Sequence, residues 1–305
     1  MRIVSLLPSA TEIVAALGCA DQLVGISHEC DYPAWIAQLP RVTQCEIHGA
    51  DLPSAQIDAW VRETLASRGT LYTLDEQLVR DLRPDVILTQ QLCDVCAVNY
   101  GPVAAFARSL TSPPLVVNLQ PATLDEVLGD IGRVGVALST ADKAEALMRE
   151  LRDRVQRVST RTAAAASRPT CFLMEWTDPP FCGGHWNPQL VSLAGGIDPI
   201  GRAGQPSRRV SWDEIEAADP DLIVLALCGN SQQRAVHEAA ALAANPRWTH
   251  LRAVRGGHVV AVDGNAYFSR PGPRIVDSLE MLAGIVHPEL WPSRAQIGTK
   301  VQVMH

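Results

Sequence analysis

Residues 2–13 read Arg-Ile-Val-Ser-Leu-Leu-Pro-Ser-Ala-Thr-Glu-Ile, an apolar run of strand length that turns at Pro8 into a helical pattern. Ser9 stands three residues before Glu12, the spacing of a capping box, and Ile13, Ala16 and Leu17 then supply one helical face. The alternation recurs. Apolar runs at Leu23–Ile26, Val86–Leu88 and Leu115–Val117 fill the first half, and Cys171–Glu175, Leu222–Leu227 and Val259–Val262 the second. Such runs lack the period-two pattern of a half-exposed strand, so they predict strands buried on both faces of parallel sheets, with crossover helices between them. The turn after the first strand carries no G-x-G-x-x-G, which removes a dinucleotide cradle from the place where it belongs.

A weak internal repeat supports two such units, because Arg83-Pro84-Asp85-Val86-Ile87-Leu88 overlays Asp219-Pro220-Asp221-Leu222-Ile223-Val224. Between them, Thr123-Leu124-Asp125-Glu126 opens one helix and a second is predicted from about Ala141 to Thr160, with Leu147, Leu151, Val155 and Val158 on one face. A helix of that length spans about 30 Å at 1.5 Å per residue, enough for a stiff strut. The expected fold class is α/β: two Rossmann-like lobes with parallel sheets, joined by a long rigid helix. The expected division is an N-terminal lobe 1–122, a helical linker 123–168, a C-terminal lobe 169–292 and a tail 293–305.

Twenty-six basic residues against 33 acidic ones give a net charge of -7 over 305 residues, a field that repels a phosphate backbone and excludes nucleic acid as a partner. The longest apolar run, Leu222–Cys228, has seven residues where a bilayer-crossing helix needs about twenty, so no membrane insertion is expected. The first ten residues do not read as a signal peptide and the eight cysteines are mostly scattered singly. Together these predict a cytoplasmic protein, or a periplasmic one if the sequence lacks its export signal.

Ligands of open parallel sheets bind beyond the carboxyl ends of the strands, and those positions carry unusual side chains here. His28, Glu29, Cys30 and Tyr32 follow one strand, and Cys93 and Cys96 another. Trp176, Phe181, Cys182, His185 and Trp186 follow a third, and Asp263 and Tyr267 a fourth. Thiols, imidazoles and aromatic rings from both halves are expected to meet in one cleft. Three readings stay open. A broad apolar ligand could lie on the aromatic rings. Cys30, Cys93, Cys96 and Cys182, with His28 and His185, could hold zinc, iron or a cluster, since soft thiolates select such metals. Cys93 and Cys96 could instead serve a thiol-dependent enzyme, although G-x-S-x-G is absent and no catalytic residue can be assigned. Cys19, Cys171 and Cys228 sit in or beside apolar sequence and are assigned to the core.

The order of these motifs resembles the vitamin B12 and iron-chelate substrate-binding proteins of ABC importers, particularly the cobalamin-binding branch. It is carried by residues 2–13, by Gly25-Ile26-Ser27 ahead of Asp31-Tyr32-Pro33, by Arg83-Pro84-Asp85-Val86-Ile87, and by Phe268-Ser269-Arg270-Pro271-Gly272-Pro273-Arg274. The resemblance covers most of residues 1–290. It implies a periplasmic-binding-protein-like fold of the helical-backbone type and a non-enzymatic protein that holds a corrinoid, cobalamin, or a related metal chelate between its lobes. In that reading Tyr32, Trp176, Phe181, Trp186 and Tyr267 wall the macrocycle, His28 or His185 reaches the metal, and Glu29 and Asp263 are among its polar contacts. It further implies docking on an importer's membrane subunit through one acidic residue per lobe; the matching positions are Asp213 in the second lobe and Gln77 in the first, where the adjacent Glu76 is the candidate acid.

Overall fold

The computed structural model describes residues 1–91, 98–291 and 298–301. The chain divides into two compact units, one of Met1–Pro121 with Asp125–Glu150, the other of Ala122–Leu124 with Leu151–His305. The predicted long helix is present as Ala141–Thr162, and the division falls inside it, after Glu150.

The first unit is built on a sheet of strands β1 (Ile3–Ser5), β2 (Leu23–Ile26), β5 (Val86–Gln90) and β6 (Leu115–Leu119) in the order β2-β1-β5-β6, all parallel. A separate antiparallel pair, β3 (Thr43–Cys45) and β4 (Tyr72–Leu74), registers Thr43 on Leu74 and Cys45 on Tyr72. Every residue of β1 and β5 is buried. Val4 of β1 and Ile87 of β5 pack with Leu6, Val79, Val103 and Phe106 into one core cluster. The capping box expected at Ser9 and Glu12 is not formed. Leu7 is the extended N-cap and Pro8 the first helical residue of Pro8–Ala16, so Ser9 and Glu12 lie buried inside the helix. Proline's fixed φ suits the first helical position, where its missing N–H costs nothing. A true capping box stands elsewhere, Ser211 with Glu214, ahead of the helix Trp212–Ala218.

The second unit carries β7 (Cys171–Thr177), β8 (Pro180–Cys182), β9 (Leu222–Leu225), β10 (Val259–Ala261) and β11 (Thr299–Lys300) in the order β11-β10-β9-β7-β8. Its centre, β10-β9-β7, is parallel, and the two edges are antiparallel. Phe172, Ile223, Leu225, Trp248 and Val259 anchor its core. The segment read from sequence as a tail therefore supplies an edge strand, with Lys300 on Val260, and Val301 buried in that core. The reason is local: the outer side of β10 would otherwise expose unpaired N–H and C=O groups.

Cys19, Cys30, Cys171 and Cys182 are buried, Cys45 is half-buried and Cys228 is exposed, all as free thiols. Cys228 thus leaves the core to which its apolar neighbours assigned it, because it follows the end of β9 in a turn where its N–H donates to the Glu175 carbonyl at 2.9 Å.

Candidate functional site

In the first unit, β2 ends at Ile26 beside Pro40–Val42, whose backbone pairs with it at 2.8–2.9 Å. The turn that follows is clasped by Arg41. Its guanidinium donates to the carbonyls of Ser27, His28 and Cys30 at 3.1, 2.6 and 3.3 Å. The His28 backbone N–H donates to the Thr43 hydroxyl at 3.0 Å, and its ring Nδ1 lies 2.7 Å from the same oxygen. Glu29 Oε1 lies 3.3 Å from His28 Nε2 and 2.9 Å from His48 Nδ1. The two imidazoles meet edge to face at 4.9 Å and Tyr72 covers His28 at 5.5 Å. Burial pushes the Glu29 carboxyl up, but the adjoining His28 and His48 rings outweigh it and hold the group below its ordinary range. Burial, aided by the Glu29 charge, pushes the nearby Cys45 thiol up against hydrogen bonds from the Ile47 and His48 backbone.

Sequence reasoning named His28 and Glu29 but missed His48, Thr43 and Cys45. The missing signal was the Cys45-x-x-His48 spacing at the end of a short strand. Cys30, proposed as a metal ligand, is turned inward, its Sγ 3.1 Å from the Thr11 hydroxyl in a buried chain that continues to Ser5. Cys93 and Cys96 lie outside the described residues. Tyr32 is exposed.

In the second unit, Trp176 and Phe181 face each other across the β7–β8 hairpin, with Arg209 over the Phe181 ring at 5.8 Å. The hairpin runs on into Gly183-Gly184-His185-Trp186. Gly184 has no room for a side chain, since a Cβ there would stand 2.1 Å from the Ser207 nitrogen. Glu175, which sequence reasoning passed over as strand, holds this turn by accepting from Gly184 N–H at 3.0 Å and Asn187 Nδ2 at 2.7 Å. Burial pushes its carboxyl up despite those bonds. His185 takes a left-handed φ of 51°, donates its backbone N–H to Gln205 at 2.6 Å, and burial pushes its imidazole down, toward the neutral form.

Several expected ligand contacts take structural places instead. Trp186 is only 4% exposed, and its indole N–H donates to the Phe268 carbonyl at 3.0 Å, tying the loop after β8 to the loop after β10. It is a strut of the core and offers no open wall. Asp263 caps the π-helical turn Gly264–Phe268 by accepting from Ala266 N–H at 2.7 Å. Tyr267 is half-buried under the Arg274 guanidinium at 5.3 Å. Cys182 lies in the apolar core, where burial pushes its thiol up. Asp213 is exposed and ion-paired with Arg247, which also holds Glu216, and Glu76 pairs with Arg80 at 3.0 Å.

The family described as periplasmic binding protein matches residues 3–266. The vitamin B12-binding protein of Vibrio cholerae serotype O1 is 25% identical over 288 residues, covering 92% of this chain and 87% of that one. Among solved structures, the periplasmic heme-binding protein RhuT from Roseiflexus sp. RS-1 superposes with a TM-score of 0.72 at 20% identity, over 95% of this chain and 98% of that one. The periplasmic vitamin B12 binding protein BtuF of Vibrio cholerae gives 0.69 at 24% identity, over 94% and 96%. At these identities the two structures establish a common fold. The family match overturns the expected cytoplasmic location, since the relatives are periplasmic proteins. It also leaves both alternatives, the cysteine and histidine metal protein and the thiol-dependent enzyme, without support. With two α/β units of this topology and a match spanning most of its length, the chain belongs to the periplasmic binding protein family, whose members bind substrates and are not enzymes.

Proposed function

We propose that this binding protein takes a planar metal chelate, and specifically a corrinoid such as cobalamin, for delivery to the membrane subunit of an ABC importer. The observation that carries the reading is the Trp176–Phe181 pair at the end of the second unit's sheet. It occurs in a chain similar to a vitamin B12-binding protein along 92% of its length. Two flat rings side by side present the kind of surface on which a broad macrocycle buries area without leaving polar groups unpaired. Tyr32 and Tyr267 add further aromatic surface on loops of each unit. His185, held toward the neutral form by burial, offers a nitrogen lone pair for a metal centre. Asp213 and Glu76 are the acids proposed to meet the importer.

The test is titration of the full chain with aquocobalamin and, separately, with hemin, read by tryptophan fluorescence and absorbance. Cobalamin is expected to bind near one per chain, with affinity reduced at least about tenfold by Trp176→Ala, a loss of about 1.4 kcal/mol. Binding of hemin alone would move the protein to the heme branch. No binding of either at tens of micromolar, roughly the weak limit for a retained ligand, would sink the chelate reading.

A further inference from the structure

Among the described residues, one group of three side chains can place donor atoms around a single metal ion: His28, Glu29 and His48, whose ligand atoms all lie within 4.8 Å of one another. The chelate reading has His185 of the second unit as its metal ligand and so does not depend on this cluster, which lies wholly within the first unit.

The His28 ring is the informative member. Its side chain is 8% exposed, and its Nε2 is buried with no hydrogen-bond partner although Glu29 Oε1 is 3.3 Å away. The opposite nitrogen, Nδ1, is 2.7 Å from Thr43 Oγ1, which already accepts from the His28 backbone N–H. A hydroxyl oxygen can accept twice, so an Nδ1–H donated to Thr43 leaves Nε2 as a bare lone pair. In that tautomer the lone pair faces a carboxylate oxygen, acceptor against acceptor; in the other, with Thr43 donating to Nδ1, the buried Nε2–H is left without a hydrogen-bond partner. A cation between Nε2 and the carboxylate resolves the conflict.

The spacing fits such an ion. Ligands about 2.0–2.1 Å from a tetrahedral zinc stand roughly 3.3 Å apart. The separations from Glu29 Oε1 are 3.3 Å to His28 Nε2 and 2.9 Å to His48 Nδ1, so little movement is required. A hydrogen bond from the far nitrogen of a ligating histidine is the usual device that fixes its tautomer, and Thr43 is in place to supply it. We propose that His28 Nε2, Glu29 Oε1 and His48 Nδ1 form a binding site for a divalent transition-metal ion, with Thr43 as the positioning residue. Two imidazoles and a carboxylate select zinc and its neighbours over magnesium or calcium. Three protein ligands leave one coordination position for water or a donor atom of a bound molecule.

The probe is Zn²⁺ added to the metal-stripped full chain and followed by calorimetry, with Co²⁺ as a spectroscopic substitute. One Zn²⁺ per chain is expected, with a Kd at or below about 1 μM. His48→Ala, at a side chain 47% exposed and so safe for folding, should weaken binding at least about 100-fold, and Thr43→Val about 10- to 100-fold. Co²⁺ should give visible d–d bands without the near-ultraviolet thiolate charge-transfer band. Unchanged Zn²⁺ affinity in His48→Ala, a thiolate band, or no binding at about 100 μM Zn²⁺ overturns the site. An unchanged affinity in Thr43→Val overturns the positioning role. Because no corrinoid or heme is present, failure here is separable from failure of the chelate titration.

Discussion

At Asp130 a carboxyl is 1% exposed within the helix Leu124–Ala137, and burial pushes it up to about 7 against the pull of Arg133. The folded pKa lies above the unfolded value of about 3.9, so the folded chain keeps a proton that the unfolded chain has released. Stability from this group is complete below about pH 4 and is lost as pH rises toward 7. Asp130→Asn, which cannot ionise, is therefore expected to raise stability by about 2 kcal/mol near pH 8 and hardly at all near pH 4. Urea midpoints at the two pH values check it, and an equal shift at both would contradict the titration argument. Trp186→Phe removes one ring of a buried side chain and strands the Phe268 carbonyl, and a cost of about 1–3 kcal/mol in the same assay is expected. At this scale the sequence was only half legible. His28 and Glu29 were visible because they follow a strand directly. His48 was not, because its partner lies 19 positions earlier in the chain and only the turn held by Arg41 and the strand end at Thr43 bring them together.

The seven strands of the parallel sheet centres could be read from their continuous apolar runs, the signature of burial on both faces, although the edge strand β6 carries such a run while only Leu119 of it is buried. β3, β4, β8 and β11 could not, since none is a run of aliphatic side chains: they read Thr-Gln-Cys, Tyr-Thr-Leu, Pro-Phe-Cys and Thr-Lys. Such short antiparallel edges are defined by the partner they cover, and a single stretch of sequence does not name its partner. β11 makes the point testable. Deleting residues 298–305 removes the buried Val301 and uncovers the outer side of β10, so a loss of about 2 kcal/mol and increased light scattering on storage are expected. An unchanged denaturation midpoint would show that the strand is ornamental to stability.

For the whole molecule, the proposed traffic with an importer can be separated from ligand capture. Asp213→Ala combined with Glu76→Ala should leave corrinoid affinity unchanged while lowering uptake by a reconstituted importer about tenfold, as expected when charges at a docking face lose their partners. Normal uptake would remove both acids from that role. The cysteine content misled the reading of cellular compartment because scattered thiols were taken as a sign of a reducing environment, whereas the fold uses most of the described ones as small apolar side chains. Burial pushes the thiols of Cys171, Cys182 and Cys45 up, so the nucleophilic thiolate is scarce at each. Burial shields Cys19, Cys30, Cys171 and Cys182 from oxidants and from disulfide partners, and among the described cysteines Cys228 is the one exposed to them.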